Sequence, residues 1–307
     1  YDLQTKGGGQ VLLTAVPAGD LTVELVDRPK GECGDNCANA GYFANYSEAG
    51  EPFTLPAGHL VADYKATGKW TRHYCQERGR FQGDRFTFDA GKWSYANPLH
   101  GKAVSTLLIS GGKARVEEIR TVPEGTDYAV SGIPVLRDGK ACTTAQAKGQ
   151  GWDTSPLRAT WHTLVGLKGD GMVYVMGWQS RTANLLDSGE AARVFRGLGF
   201  VDVLKLDGGG SYYQSRDGAV SKTAENRRIN SVLRWKAREE EPELTEEQAW
   251  FDRMMEDWMA RKAKEPASQW AQEGLEQAKA KGITDGTRPR GFATREEVAL
   301  MVNKAVE

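Results

Sequence analysis

Short apolar stretches broken by glycine-rich turns run through the first 236 positions of the chain. Val11-Leu12-Leu13-Thr14-Ala15-Val16 and Leu21-Thr22-Val23-Glu24-Leu25-Val26 each read as a strand. The second alternates apolar and polar side chains, as a half-buried strand does. Pro17-Ala18-Gly19-Asp20 between them carries turn residues and predicts a hairpin. Further strands are predicted at 103–109, 114–121, 161–167, 172–178, 201–206 and 229–235, with Gly111-Gly112 and Gly169-Asp170-Gly171 as tight turns. Between the strands at 172–178 and 201–206, the stretch from Gly189 to Leu198 has helical spacing, with Ser188 as its N-cap.

The pattern changes at Lys236. Charged residues and Pro242 form a linker, and Thr245 then caps a helix in which Phe251, Met254, Met255, Trp258 and Met259 recur at helical spacing. That stripe reads as helix packing. A second helix starts at Ser268, carries Trp270, Ala271, Leu275 and Ala278 on one face, and stops at Gly282. Thr294-Arg295-Glu296-Glu297 has the form of a capping box opening a third helix. The expected architecture is an α+β body with a mixed β-sheet over residues 1–236, a charged linker and helix over 237–266, and a small all-α module over 267–307.

A length of 307 residues suits about two domains. Lys and Arg number 40 against 41 Asp and Glu, a balance without the basic excess that a nucleic-acid binder shows. No apolar run reaches the roughly 20 residues of a membrane-spanning helix. The chain opens at Tyr1 without Met, so a processed or trimmed protein is expected, with any signal peptide already removed. Cys33, Cys37, Cys75 and Cys142 fit disulfides or buried thiols, and Cys33, Cys37, His73 and Cys75 also have the residue types of a zinc set.

The strongest local signal is Leu204-Lys205-Leu206-Asp207-Gly208-Gly209-Gly210-Ser211. A strand ending in Asp and three glycines puts a carboxylate beside bare backbone, whose N–H groups can form a concave anion site. The same residues also read as a glycine-rich turn capped by Asp. Upstream, Asn39-Ala40-Gly41-Tyr42-Phe43 offers an amide for a sugar hydroxyl or acetamide and an aromatic wall for a ring, or else an ordinary buried strand end.

Taken together and in order, four segments resemble the phosphodiester glycosidase family over roughly residues 36 to 236. They are Asn39 to Phe43, Ser131-Gly132-Ile133-Pro134-Val135-Leu136 with Asp138-Gly139-Lys140, Leu206 to Ser211, and Arg227-Arg228-Ile229-Asn230-Ser231. The resemblance implies hydrolysis of a sugar-1-phosphodiester of the N-acetylglucosamine type, releasing the sugar and leaving a phosphomonoester. Asp207 is then the key carboxylate, as nucleophile or electrostatic stabiliser. Glu225, Asp202 and Asp35 compete for a second carboxylate, and Glu225 is the one placed in the catalytic set. Asn39, Gly41, His162, Gly208, Gly209, Gly210, Ser211, Arg227, Arg228 and Asn230 are the expected substrate-binding residues.

One departure stands out. Where the family has Arg-Thr before an apolar-Gly pair, this chain has His162-Thr163-Leu164-Val165-Gly166; if that Arg holds substrate phosphate, His162 or the nearby Arg158 must replace it, or the substrate differs. No cofactor is implied, and a divalent metal ion stays compatible with the chemistry. The competing reading is a non-catalytic module that binds a wall glycan or a nucleotide sugar.

The tail, from Trp270-Ala271 through Ala280-Lys281-Gly282-Ile283-Thr284-Asp285-Gly286-Thr287-Arg288-Pro289 to the capping box, resembles one surface-layer-homology repeat. Such repeats end cell-wall lysins of Gram-positive bacteria and their phages. That resemblance implies attachment to a cell-wall polymer or subunit association, hence a phosphate-linked glycan as substrate and possible homo-oligomers. It also implies an extracellular or wall-associated place, as a bacterial or phage lytic or virion protein.

Overall fold

A computed structural model describes residues 2–4, 10–158, 160–180, 184–186, 189–237, 246–285 and 287. Two compact units are present, Tyr1–Ala237 and Arg238–Glu307. The first is mostly β-sheet with few helices. Among the described residues a seven-stranded sheet runs in the order Asp2–Gln4, Gln10–Pro17, Met172–Gln179, Trp161–Leu167, Asp202–Gly208, Ile133–Arg137, Lys140–Ala141. An eleven-stranded sheet has Leu21–Pro29, Arg228–Trp235, Cys37–Asn39, Tyr213–Arg216 and Ala219–Lys222 side by side along one half. Leu164, Val175 and Leu204 of the first sheet share one core with Val23, Leu25 and Val130 of the second.

The hairpins expected at Gly111-Gly112 and Gly169-Asp170-Gly171 form, because their glycines take the positive φ that such turns require. The hairpin expected at Pro17–Asp20 does not. Gln10–Pro17 pairs with Met172–Gln179 in the first sheet, whereas Leu21–Pro29 pairs with Arg228–Trp235 and Leu60–Tyr64 in the second. Ala18–Asp20 is a 3₁₀ turn, tied by its Ala18 N–H to the Gly171 carbonyl, that carries the chain from one sheet to the other. The chain crosses the same way after Asp202–Gly208, through the 3₁₀ turn Gly209–Ser211, into Tyr213–Arg216.

The helix expected after Ser188 runs over Glu190–Gly197 and buries Ala191, Ala192 and Phe195. Ser188 itself lies outside the described residues. The four cysteines are buried free thiols, pushed by burial up to about 11 for Cys33 and Cys142 and about 12 for Cys37 and Cys75. His73 is at the surface, 3.2 Å from Glu77. Among the described residues no three His, Cys, Asp or Glu side chains gather as a metal-binding group, so the zinc set does not assemble.

In the second unit, helices span Glu246–Lys264 and Gln272–Ala280, the latter preceded by a 3₁₀ turn at Gln269–Ala271 and followed by Gly282 at positive φ. Ala271, Leu275 and Ala278 are half-buried along one face. Of that stripe, Met254, Trp258 and Met259 are each a little over one-third exposed and Met255 is half-buried, whereas the Phe251 side chain lies outside the described residues. Thr245 and the capping box at 294–297 lie outside them.

Candidate active site

The last residues of Asp202–Gly208 sit where the two sheets touch. The Asp207 N–H donates to the carbonyl of Ala40, at the end of the second-sheet strand Cys37–Asn39 (2.9 Å), and His162 pairs across the first sheet with Gly208. Gly208 has to be glycine: a Cβ there would lie 2.6 Å from the Trp161 carbonyl oxygen. Gly209 takes a left-handed φ of 59°, which glycine adopts at little cost. This seam opens into two clefts, and Asp207 lines both.

The first cleft, of about 290 Å³, is walled by Tyr42, Phe43, Pro98, Leu99 and Trp152, with Asn45, Asp153 and Arg227 as its polar groups. Tyr42 and Trp152 are in ring contact at 5.1 Å. The second, of about 530 Å³, is lined by the Gly208–Gly210 backbone, Arg158, Thr160, Thr223, Glu225 and Arg227. Arg227 also belongs to both clefts, with its Nε 3.5 Å from Glu225 Oε2.

Behind the glycine turn, the buried Lys30 ammonium donates to the carbonyls of Gly210 (2.8 Å) and Tyr212 (3.2 Å) and to the Thr223 hydroxyl (2.7 Å). Burial lowers Lys30 to about 8, with Glu225 opposing that shift. A second buried lysine governs Asp207. Lys205 stands two residues before it on the same strand, so the two side chains project to one face. Its ammonium donates to the Tyr42 hydroxyl (2.5 Å) and the Leu206 carbonyl (2.8 Å), and burial lowers it to about 8. Asp207 is itself raised above the ordinary carboxylate value by burial. The Lys205 charge, the Gly208 N–H, the Ser211 hydroxyl and Arg227 pull the other way.

The structure sorts the expected site residues into two groups. Asp207, Gly208, Gly209, Gly210, Glu225 and Arg227 meet at the clefts, and Ser211 is buried directly behind them. Asn39, Gly41, His162, Arg228 and Asn230 do not line either cleft. Asn39 is buried, and its Oδ1 accepts from the Thr163 hydroxyl (2.5 Å) and the Tyr213 N–H (2.9 Å), which locks the two sheets together. Gly41 donates its N–H to Ser231 Oγ. Arg228 is held by Asp27, and Asn230 donates to Thr54, a residue that itself donates to Asp27, so both serve a buried polar network.

His162 is fully buried and pushed down to about 2 by desolvation and by Lys205, which leaves a neutral ring behind the glycine turn. Of the two replacements for the missing arginine, Arg158 alone reaches the cleft. Asp202 pairs with Arg137 and Asp35 accepts from Ser215 and Gly218, so of the three competing carboxylates only Glu225 is at the site. Lys205 was readable as a lone cation in an apolar strand two places before the key Asp. Asn45, Leu99 and the adjacent pair Trp152-Asp153 arrive from three separate segments with no local signature.

A search of curated proteins found no match. Among solved structures, the chain is similar to the zebrafish N-acetylglucosamine-1-phosphodiester alpha-N-acetylglucosaminidase catalytic domain auto-inhibited by its pro-peptide. Identity is 16% over 78% of this chain and 81% of that one, with a TM-score of 0.49. It is also similar to a hypothetical protein from Synechocystis, at 13% identity over 76% of this chain and 60% of that one, with a TM-score of 0.43. The assignment rests instead on a family model for phosphodiester glycosidases, which matches residues 37–233, more than half of the sequence. The chain belongs to the phosphodiester glycosidase family.

Proposed function

We propose that the chain hydrolyses a sugar-1-phosphodiester of the N-acetylglucosamine type. The observation that carries this reading is the position of Asp207, shared by an aromatic cleft suited to a sugar ring and a glycine- and arginine-lined cleft suited to a phosphodiester. A sugar phosphate lying across the junction brings its anomeric carbon to Asp207. Cleavage there develops oxocarbenium-like charge on the sugar, which a carboxylate stabilises or captures.

The departing phosphate needs charge stabilisation more than a proton. Arg158 and Arg227 supply charged donors. Lys30 and Thr223 hold the carbonyls of the glycine turn, which supports the turn's presenting N–H donors to the anion. Lys205 favours the ionised form of Asp207. Asn45, in place of the buried Asn39, is the amide available to a sugar hydroxyl or acetamide, and Glu225 is the second carboxylate of the phosphate cleft.

The substrate is further read as a phosphate-linked glycan of a bacterial wall or surface, a reading that rests on the tail's resemblance to a surface-layer-homology repeat. Deleting residues 238–307 is then expected to abolish pull-down with cell walls and to spare turnover of a small substrate. The direct test is release of free sugar from a GlcNAc-α-1-phosphodiester by the intact chain, beside Asp207→Asn and an EDTA-treated sample. Release that disappears in Asp207→Asn is expected, and the EDTA sample reports any dependence on a divalent metal. Binding of the sugar phosphodiester without turnover, unchanged in Asp207→Asn, would overturn the proposal in favour of a binding module.

A further inference from the structure

A third cleft, of about 460 Å³, lies between the first-sheet strand Gln10–Pro17 and the edge hairpin Tyr213–Arg216/Ala219–Lys222 of the second sheet. Its walls include Thr14, Trp161, Gln214, Arg216 and Lys222, and its size is that of a small-molecule site. The geometry points to this cleft as a second glycan subsite, which takes the next unit of a phosphate-bridged glycan whose terminal unit sits at Asp207. The inference rests on the sugar-phosphodiester reading and adds that the substrate is an oligomer with phosphate in its repeat.

The first argument is the composition of the walls. Trp161 is half-buried and stacked on the buried Tyr212, with centroids 4.8 Å apart and planes 14° from parallel. Backed in this way, the indole is a rigid platform of the kind that accepts the apolar face of a pyranose. Gln214 is only 4% exposed; its Nε2 donates to Thr14 Oγ1 (3.4 Å), yet its Oε1 has no hydrogen-bond partner. That amide ties the two sheets together along the cleft. Arg216, whose Nη1 donates to the Leu13 carbonyl (3.3 Å), provides a cation for a phosphate, whereas the Lys222 ammonium lies on the other face of the hairpin, beside Gly31. Arg216 is only 4.0 Å from Asp217 in an exposed and therefore weak pair.

The second argument is continuity. Thr160 lines the cleft of Asp207 and Trp161 lines this one; Thr223 lines the former and Lys222 the latter. Successive Cα atoms are about 3.8 Å apart, so at both places the two clefts are separated by a single residue step. A chain of sugar phosphates leaving the glycine turn past Thr160 and Thr223 meets Trp161 and Lys222 next. Bare wall glycan without phosphate would use the indole but not the Arg216 guanidinium.

The test uses two probes: methyl GlcNAc-α-1-phosphodiester, and a synthetic trimer of GlcNAc-1-phosphate joined by 1→6 phosphodiesters. Affinities are measured by calorimetry on full-length Asp207→Asn, and turnover on the chain with Asp207 intact. The trimer is expected to bind at least about tenfold more tightly than the methyl probe. Trp161→Ala, and separately Arg216→Glu, are expected to erase that advantage while leaving turnover of the methyl probe unchanged. Arg216 is on the surface, so its charge reversal stands independently if Trp161→Ala fails to fold. Equal affinity for the two probes, or variants that weaken both equally, would overturn the subsite. Absence of turnover on either probe strikes the parent reading instead, whereas the subsite is still judged by the ratio of the two affinities and its loss in the variants.

Discussion

The two clefts that meet at Asp207 are built from opposite materials. The larger cleft is floored by backbone, the Gly208–Gly210 turn, and rimmed by Arg158 and Arg227; the other is walled by Tyr42, Phe43, Leu99 and Trp152. Backbone and guanidinium groups recognise charge, which is directional and demands fixed positions; Lys30, Thr223 and the neutral His162 brace the glycine turn from behind. Aromatic walls recognise shape and apolar area, and they tolerate variation in placement. Asp207 is the carboxylate that faces both environments, which is why the proposed function puts the scissile sugar–phosphate bond there.

This contrast sets the order in which the site can be dismantled. Asp207→Asn removes the one carboxylate common to both clefts and is expected to lower kcat/KM for a GlcNAc-1-phosphodiester by on the order of 10³-fold or more, since it deletes a charge that acts on the transition state. Arg158→Ala affects the phosphate side alone. Loss of one charge-stabilising donor is expected to cost about 10²-fold in kcat and to leave binding of free N-acetylglucosamine, followed by calorimetry, unchanged. An equal loss of free-sugar binding would break the division into two clefts.

His162 supports the same side through stability. Its folded value of about 2 is far below the ordinary histidine value of 6.5. Below pH 6.5 the unfolded chain therefore takes up a proton that the folded chain refuses. Stability is full above about 6.5 and falls as the pH drops towards the folded value, by about 2 kcal/mol between pH 7 and pH 5 for this group. Denaturant unfolding at the two pH values should show that slope, and His162→Asn should lose it. On the aromatic side, Trp152→Leu is expected to raise KM by up to about tenfold with kcat nearly unchanged, the size of one aromatic contact. A fall in kcat of the same size would mean that the aromatic wall acts on the transition state as well.

What the sequence revealed follows the same line. Strand 161–167 and the hairpins at Gly111-Gly112 and Gly169–Gly171 were readable because period and turn chemistry are local. The link at Pro17–Asp20 has the same turn residues but carries the chain between sheets, a choice made by packing partners far away in sequence. The glycine run by itself reads as a capped turn as readily as a site; its place among four ordered segments that resemble one family is what singled it out. Asn39, His162, Arg228 and Asn230 carry the right functional groups, yet burial of Asn39, His162 and Asn230 and the pairing of Arg228 with Asp27 commit them to the framework, and no spacing rule distinguishes a buried amide from a binding one. The aromatic cleft was half legible: Tyr42 and Phe43 sit beside a glycine in a recognisable segment, whereas Leu99 and Trp152 come from loops whose convergence only the fold creates.

Which bond breaks is the central question, and running the reaction in ¹⁸O-labelled water answers it. With a GlcNAc-α-1-phosphodiester as substrate, attack at the anomeric carbon places the label in the hydroxyl of the released sugar and none in the phosphate. That is the predicted result. Label recovered in the phosphate would mean cleavage at phosphorus, and would contradict the role of Asp207 as the carboxylate that faces the sugar.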